Sequence, residues 1–176
     1  MCLENKIFES FDWHKKGFFY LIGAPSTNFL KETADFVMSL LSEHTVFWFD
    51  FPNRFHTYSF DKAVPQNLEN LEVFRPKTII DALFMADDLE FRFLEDVPYL
   101  IVSDFLFSYA LTQKKYKIDM VEKLVYITAI LSKISKQFDT RVLFLNEIRQ
   151  DPTSGEKTGY LHHIVSRYWH QVHRIE

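Results

Sequence analysis

"GFFYLIGAPSTNFLKETADFVMSL", Gly17 to Leu40, decides how the chain is read: a short apolar run, a Gly-Ala-Pro turn, then apolar residues at helical spacing. Gly17 to Ile22 is expected to form a buried strand. Leu30, Ala34, Val37, Met38 and Leu41 recur as the inner stripe of a helix that Thr27 or Asn28 can cap. The stretch has the frame of the phosphate-binding pattern GxxxxGK[ST]. Begun at Gly23, that pattern puts Asn28, Phe29 and Leu30 where glycine, lysine and Ser/Thr belong. Lysine supplies the charge that reaches the β and γ phosphates, the hydroxyl holds Mg²⁺, and the glycines let backbone N–H groups converge on the anion. Phe29 and Leu30 can do neither job, and Lys31 lies about 100° further round the helix. An ordinary strand-turn-helix with a chance glycine fits the same letters, so the choice falls to the rest of the chain.

The 176 residues, 47% hydrophobic and 25% charged, have the size and composition of one globular domain with a full core. Nineteen phenylalanines against four glycines favour a dense aromatic interior with some aromatic surface left for a partner. At a net charge of −4 the whole-molecule field does not attract nucleic acid, so any basic site must be local. A lone Cys2 excludes an internal disulfide framework and fits a reducing cytoplasm. The opening "MCLENKIFESFDWHKKG" lacks the continuous apolar core of a signal peptide, and no run approaches the roughly 18 apolar residues of a membrane span. A cytoplasmic protein of one domain, 1–176, without a separate N-terminal domain is the expectation.

Further strands are expected at Thr45 to Phe51, Leu71 to Phe74, "YLIVSDF" (Tyr99 to Phe105), Arg141 to Leu145 and Gln171 to Ile175. Helices are expected near Tyr58 to Ala63 and over Lys77 to Glu95, Asp119 to Phe138 and Leu161 to Trp169, with "NEIRQDPTSGEKTGY" (Asn146 to Tyr160) as a loop. Strands alternating with helices imply an α/β fold: a mainly parallel sheet with helices on both faces. Asp104, at the tip of "YLIVSD", has the position of the aspartate that helps to hold Mg²⁺ in phosphate-loop enzymes, although any buried strand can end in Asp.

Taken in series, the segments from about Gly17 to Glu176 resemble the core of RecA/RadA-type recombinases, in particular the archaeal RadA paralogues. The most specific part is "VLFLNEIRQDPTSGEKTGYLHHIVSRYWHQVHRIE" (Val142 to Glu176). It looks like that family's strand ending in Asn, its second DNA-facing loop with an Asp-x-x-x-Gly turn, a helix, and a strand ending in a basic residue, an apolar residue and Glu. "VFWFDFPNRF" (Val46 to Phe55) resembles the family strand ending Asp-x-Glu-Gly-x-Phe, with Asp50, Asn53 and Phe55 in register. The resemblance implies a RecA-like P-loop fold with a core shortened at its C-terminal side. It also shows departures. Pro52 stands at the catalytic glutamate, Asn146-Glu147 at the Asn-Gln pair that senses the γ-phosphate, and Phe29 and Leu30 at the loop lysine and hydroxyl, while Asp104 remains. Catalysis that rests on positioning and electrostatics does not survive losing cation, metal ligand and base together, so an inactive ATPase with no cofactor is expected. The vestigial cofactor positions are Gly23, Asn28, Phe29, Leu30 and Asp104.

Lys114, Lys115 and Lys117 occupy the place of the family's first DNA-facing loop, and Arg149 and Lys157 lie in the second. A solvated charge run is the plainer reading of the same residues. Two basic loops at neighbouring strand ends have the geometry to meet one phosphate backbone. His162, His163, His170 and His173 complete no recognisable ligand spacing and are read as surface or packing residues, not a metal site. Phe60 to Ala63 and Phe107 to Ala110 match the Phe-x-x-Ala peptide that joins recombinase neighbours, but such matches arise easily in a phenylalanine-rich chain and are assigned to packing. In the family core, further strands follow the one matching Val172 to Ile175. Here Glu176 is the last residue, so an unfinished sheet edge is expected, with Tyr168 and Trp169 beside it as interface candidates.

The functional expectation is an accessory, non-catalytic recombinase paralogue. It would act in homologous recombination or DNA repair through a RecA-fold partner or as a homo-oligomer, with or without direct DNA contact. The alternatives are a weak nucleotide-binding switch completed by a partner, and a RecA-fold scaffold with no nucleic-acid role.

Overall fold

Alternate residues of the central strands feed two separate cores, which is why runs such as "VFWFD" carry no polar face. The computed structural model describes residues 11–13, 15–23, 27–51, 53, 55, 67–93, 97–104, 117–150, 155, 157–159, 166–168 and 171–175. Of these, 20, 22, 27–29, 117–119, 147–150, 157–159, 166 and 171–175 are described by backbone alone. The expected helix at Tyr58 to Ala63, both Phe-x-x-Ala matches, Cys2, Pro52, Lys114, Lys115, His162, His163, Trp169 and His170 lie outside them.

The strands are β1 (Gly17–Gly23), β2 (Val46–Asp50), β3 (Leu71–Phe74), β4 (Leu100–Asp104), β5 (Arg141–Gln150), β6 (Lys157–Gly159) and β7 (Gln171–Ile175); the α-helices are α1 (Thr27–Leu40), α2 (Ile79–Arg92) and α3 (Lys117–Gln137). Six strands lie in the order β3-β2-β4-β5-β1-β7, every pair parallel, and β6 pairs antiparallel with β5 alone. On one face Phe19, Leu21, Val46, Trp48, Leu100, Val102, Leu143 and Leu145 pack under Leu30, Ala34, Val37 and Leu41 of the α1 segment. On the other, Phe18, Phe47, Phe49, Phe74, Ile101, Val142 and Phe144 pack under α2 and α3. Period-two alternation sorts each strand between these layers.

Local chemistry sets the helix limits. Thr78 caps α2 in a reciprocal box, accepting from the Asp81 N–H at 3.1 Å while its own N–H donates to Asp81 Oδ2 at 2.8 Å. That box holds Lys77 and Thr78 outside the helix the periodicity assigned them to. Thr27 and Asn28 already lie in the first turn of α1, so neither is its cap. A stripe that starts with Leu30 does not report the polar residues opening the turn before it.

Two further expectations are corrected. Asn146 to Gln150 is no loop: β5 continues through it and turns back as a hairpin with Gln150 opposite Lys157, Arg149 opposite Thr158 and Ile148 opposite Gly159. Asn146 and Glu147 pair with β1 and Ile148 to Gln150 with β6, a long-range cause that apolar periodicity does not record. Of the expected helix Leu161 to Trp169, the described part, Ser166–Tyr168, is a 3-10 turn; three residues are too few for an α-helical stripe.

At the N-terminal edge of the sheet a clasp ties the lead-in to the core. The buried Arg141 side chain donates from Nε to the Trp13 carbonyl at 3.1 Å and from Nη1 to the Asp139 carbonyl at 3.2 Å, and lies 4.3 Å over the Tyr99 ring. Tyr99 also stacks on His44 at 3.9 Å.

Candidate functional site at the C-terminal edge of the sheet

Six parallel strands place their C-terminal ends along one edge, where open α/β sheets bind ligands. Gly23 ends β1, between β5 and the outer strand β7, opposite Glu147 on one side and Ile175 on the other. Only residues 24–26 separate it from α1, so the helix N-terminus, with its partial positive charge, abuts this edge. Asn28 and Phe29 lie in that first turn. Leu30 is 5% exposed and belongs to the apolar cluster with Ala34, Val37 and Leu41, so its side chain is spent on the core.

Asp50 and Asp104 are direct register neighbours at the ends of β2 and β4, and they are 0% and 1% exposed. Two residues on from Trp48 and Val102, they share the α1 side of the sheet. Asp50 is engaged locally. Its Oδ2 accepts the Phe55 N–H at 3.0 Å and faces Arg75 Nε at 3.4 Å, while its carbonyl accepts the Asn53 N–H at 3.3 Å. Asn53 takes φ 53°, a left-handed conformation that asparagine tolerates, which closes the turn and lays Phe55 against Trp48 with ring centres 4.9 Å apart. Asn146, buried in β5 opposite Ile22, falls on the alternate side of the sheet from the two aspartates. Among the described residues no group of three or more His, Cys, Asp or Glu is arranged to hold a metal ion.

The basic candidates divide. Lys117 opens α3, and Arg149 and Lys157 sit on the β5–β6 hairpin, one register step apart and not opposite each other. Because β5 pairs with β4 up to Phe144 and with β1 up to Glu147, this hairpin stands beyond the edge that carries Gly23 and Asp104. Tyr168 is half-buried, with the Arg167 guanidinium 5.5 Å from its ring centre. Sequence reasoning passed over Arg75, the side chain that faces Asp50 across 25 residues; nothing in the order of residues signals that pairing.

No protein-family model matches the chain, and no curated protein matches it. Among solved structures, the crystal structure of the RadB recombinase matches with a TM-score of 0.64 over 91% of this chain and 74% of that one, at 16% identity. The chain therefore has a RecA/RadA-type recombinase-like fold, as the sequence resemblance implied. No helix of the described residues is long and apolar enough to cross a membrane.

Proposed function

We propose, from a RecA/RadA-type fold whose phosphate site has been given over to packing, that the protein is an accessory subunit of homologous recombination or DNA repair. It does not turn over ATP. It acts through a RecA-fold partner, with the hairpin and the start of α3 offered to DNA. The observation that carries this reading is Leu30: where the pattern needs a hydroxyl on Mg²⁺, this side chain is buried with Ala34, Val37 and Leu41. Asp50 supports it, because its carboxylate is engaged by Phe55 and Arg75. Asp104, buried at the end of β4, favours a second reading in which a partner completes a nucleotide-binding switch at this edge.

ATP turnover and nucleotide titration separate the two. The first reading expects no hydrolysis above background, at best weak ATP binding, and no hydrolysis in Phe29→Lys with Leu30→Thr, since Pro52 still replaces the base. Tight nucleotide binding that Asp104→Ala abolishes would establish the switch instead. Turnover abolished by the same substitution would overturn both.

A further inference from the structure

A helix lying on a sheet is normally apolar inward and polar outward. α2 is apolar on both sides. Ala82, Ala86 and Leu89 face the core, yet Ile80, Phe84 and Phe91 are 49%, 67% and 72% exposed. Spaced i, i+4 and i+11, with Asp87 at i+7, they share one outward stripe about 16 Å long on the far side of the helix from Ala86 and Leu89. The charge of α2 is one-sided, with Asp81, Asp87, Asp88 and Glu90 against Arg92. Asp81 is used in the capping box, Asp88 bonds to Arg92 at 3.0 Å, and Glu90 forms an ion pair with Lys133 of α3 at 2.6 Å. Asp87, in the middle of the stripe, is exposed and makes no ion pair among the described residues.

We propose that this face docks an amphipathic helix of another protein, with apolar residues on Ile80, Phe84 and Phe91 and a central lysine or arginine on Asp87. Charge selects the occupant. A second copy of this chain, packed across a two-fold axis on the stripe, would bring two Asp87 carboxylates together with no cation between them. An anionic lipid surface would meet the same repulsion. A basic amphipathic helix satisfies both the apolar ridge and the carboxylate, and the net charge of −4 steers it in. The surface lies apart from Gly23, Asp104 and β7, so the inference stands whether or not the recombination role does.

The test uses the full chain and two fluorescent synthetic helices with the same leucine stripe, one with lysine and one with glutamate at the centre. Anisotropy should show saturable binding of the lysine peptide and binding of the glutamate peptide weaker by up to about fivefold, the range of one exposed ion pair. Asp87→Lys should reverse that order, and Phe84→Ser with Phe91→Ser should abolish binding without lowering the melting temperature. Should the double variant fail to fold, the reversal by exposed Asp87→Lys still decides. Equal affinity for the two peptides, binding of neither, or indifference to Asp87→Lys overturns the proposal. So does concentration-dependent self-association, or binding to zwitterionic vesicles, that the double variant loses; these would assign the stripe to a second copy or to a lipid surface.

Discussion

Leu30 and Asp50 are both committed to structure. Leu30 closes the α1 core; Asp50 holds the turn that carries Phe55. That Phe29 and Leu30 do not fit the lysine and hydroxyl of the phosphate-loop pattern is legible in the letters alone. What Leu30 does instead is not, since burial depends on the strands beneath α1. Arg141 is the clearest residue that sequence alone misses: it reads as the polar start of a strand, yet it joins Trp13, Tyr99 and Asp139 in one clasp. Arg141→Ala leaves the Trp13 and Asp139 carbonyls short of their charged donor and should cost about 2–3 kcal/mol in urea unfolding. Arg141→Lys should recover only part of this, because an ammonium cannot reproduce the planar fork or its stacking on Tyr99. Full recovery by lysine would reduce the clasp to a simple charge effect.

At the scale of elements, the parallel strands other than β5 were legible to within a residue or two. β3 and β7 match their expected limits, β2 is trimmed at both ends, and β4 starts one residue late, at Leu100. Apolar runs bounded by Pro, Asn or Gly announce such strands. The β5–β6 hairpin was missed because "NEIRQ" has no apolar face and its last three residues owe their form to pairing with Lys157–Gly159. That hairpin sharpens the expectation for DNA. A paired arm presents Arg149 and Lys157 on one two-stranded element, while Lys117 stands at the head of α3; Lys114 and Lys115 lie outside the described residues. With about three to five phosphate contacts, log K against log salt on single strands should slope by roughly −2 to −4. Replacing Lys114, Lys115 and Lys117 with alanine should weaken binding and flatten the slope, and Arg149→Ala with Lys157→Ala should do the same independently. Affinity and slope unchanged in both variants would remove this edge from any DNA site.

For the molecule as a whole, the proposed association raises the question of which outer surface would carry it. β3 and β7 are the outer strands of the parallel sheet among the described residues. β3 is four residues long and guarded by the Arg92–Glu72 ion pair at 2.7 Å; Arg92 also lies 5.2 Å over the Phe74 ring, and its guanidinium is held above its ordinary pKa, first by the Asp88 hydrogen bond. Charges on an edge strand discourage pairing. β7 is five residues long, pairs with β1 on one side, and follows Tyr168 in the sequence, a residue type enriched at interface hot spots. Association with a RecA-fold partner, or with a second copy, is therefore expected at β7. Light scattering across concentration, followed by co-purification with RecA-like proteins of the same source, tests it. Tyr168→Ala and Trp169→Ala should each weaken capture by about tenfold or more while the melting temperature holds. Loss of capture in the Phe84→Ser, Phe91→Ser variant alone would move the contact to α2, and a strictly monomeric chain that captures no such protein would leave the β7 edge without a role in assembly.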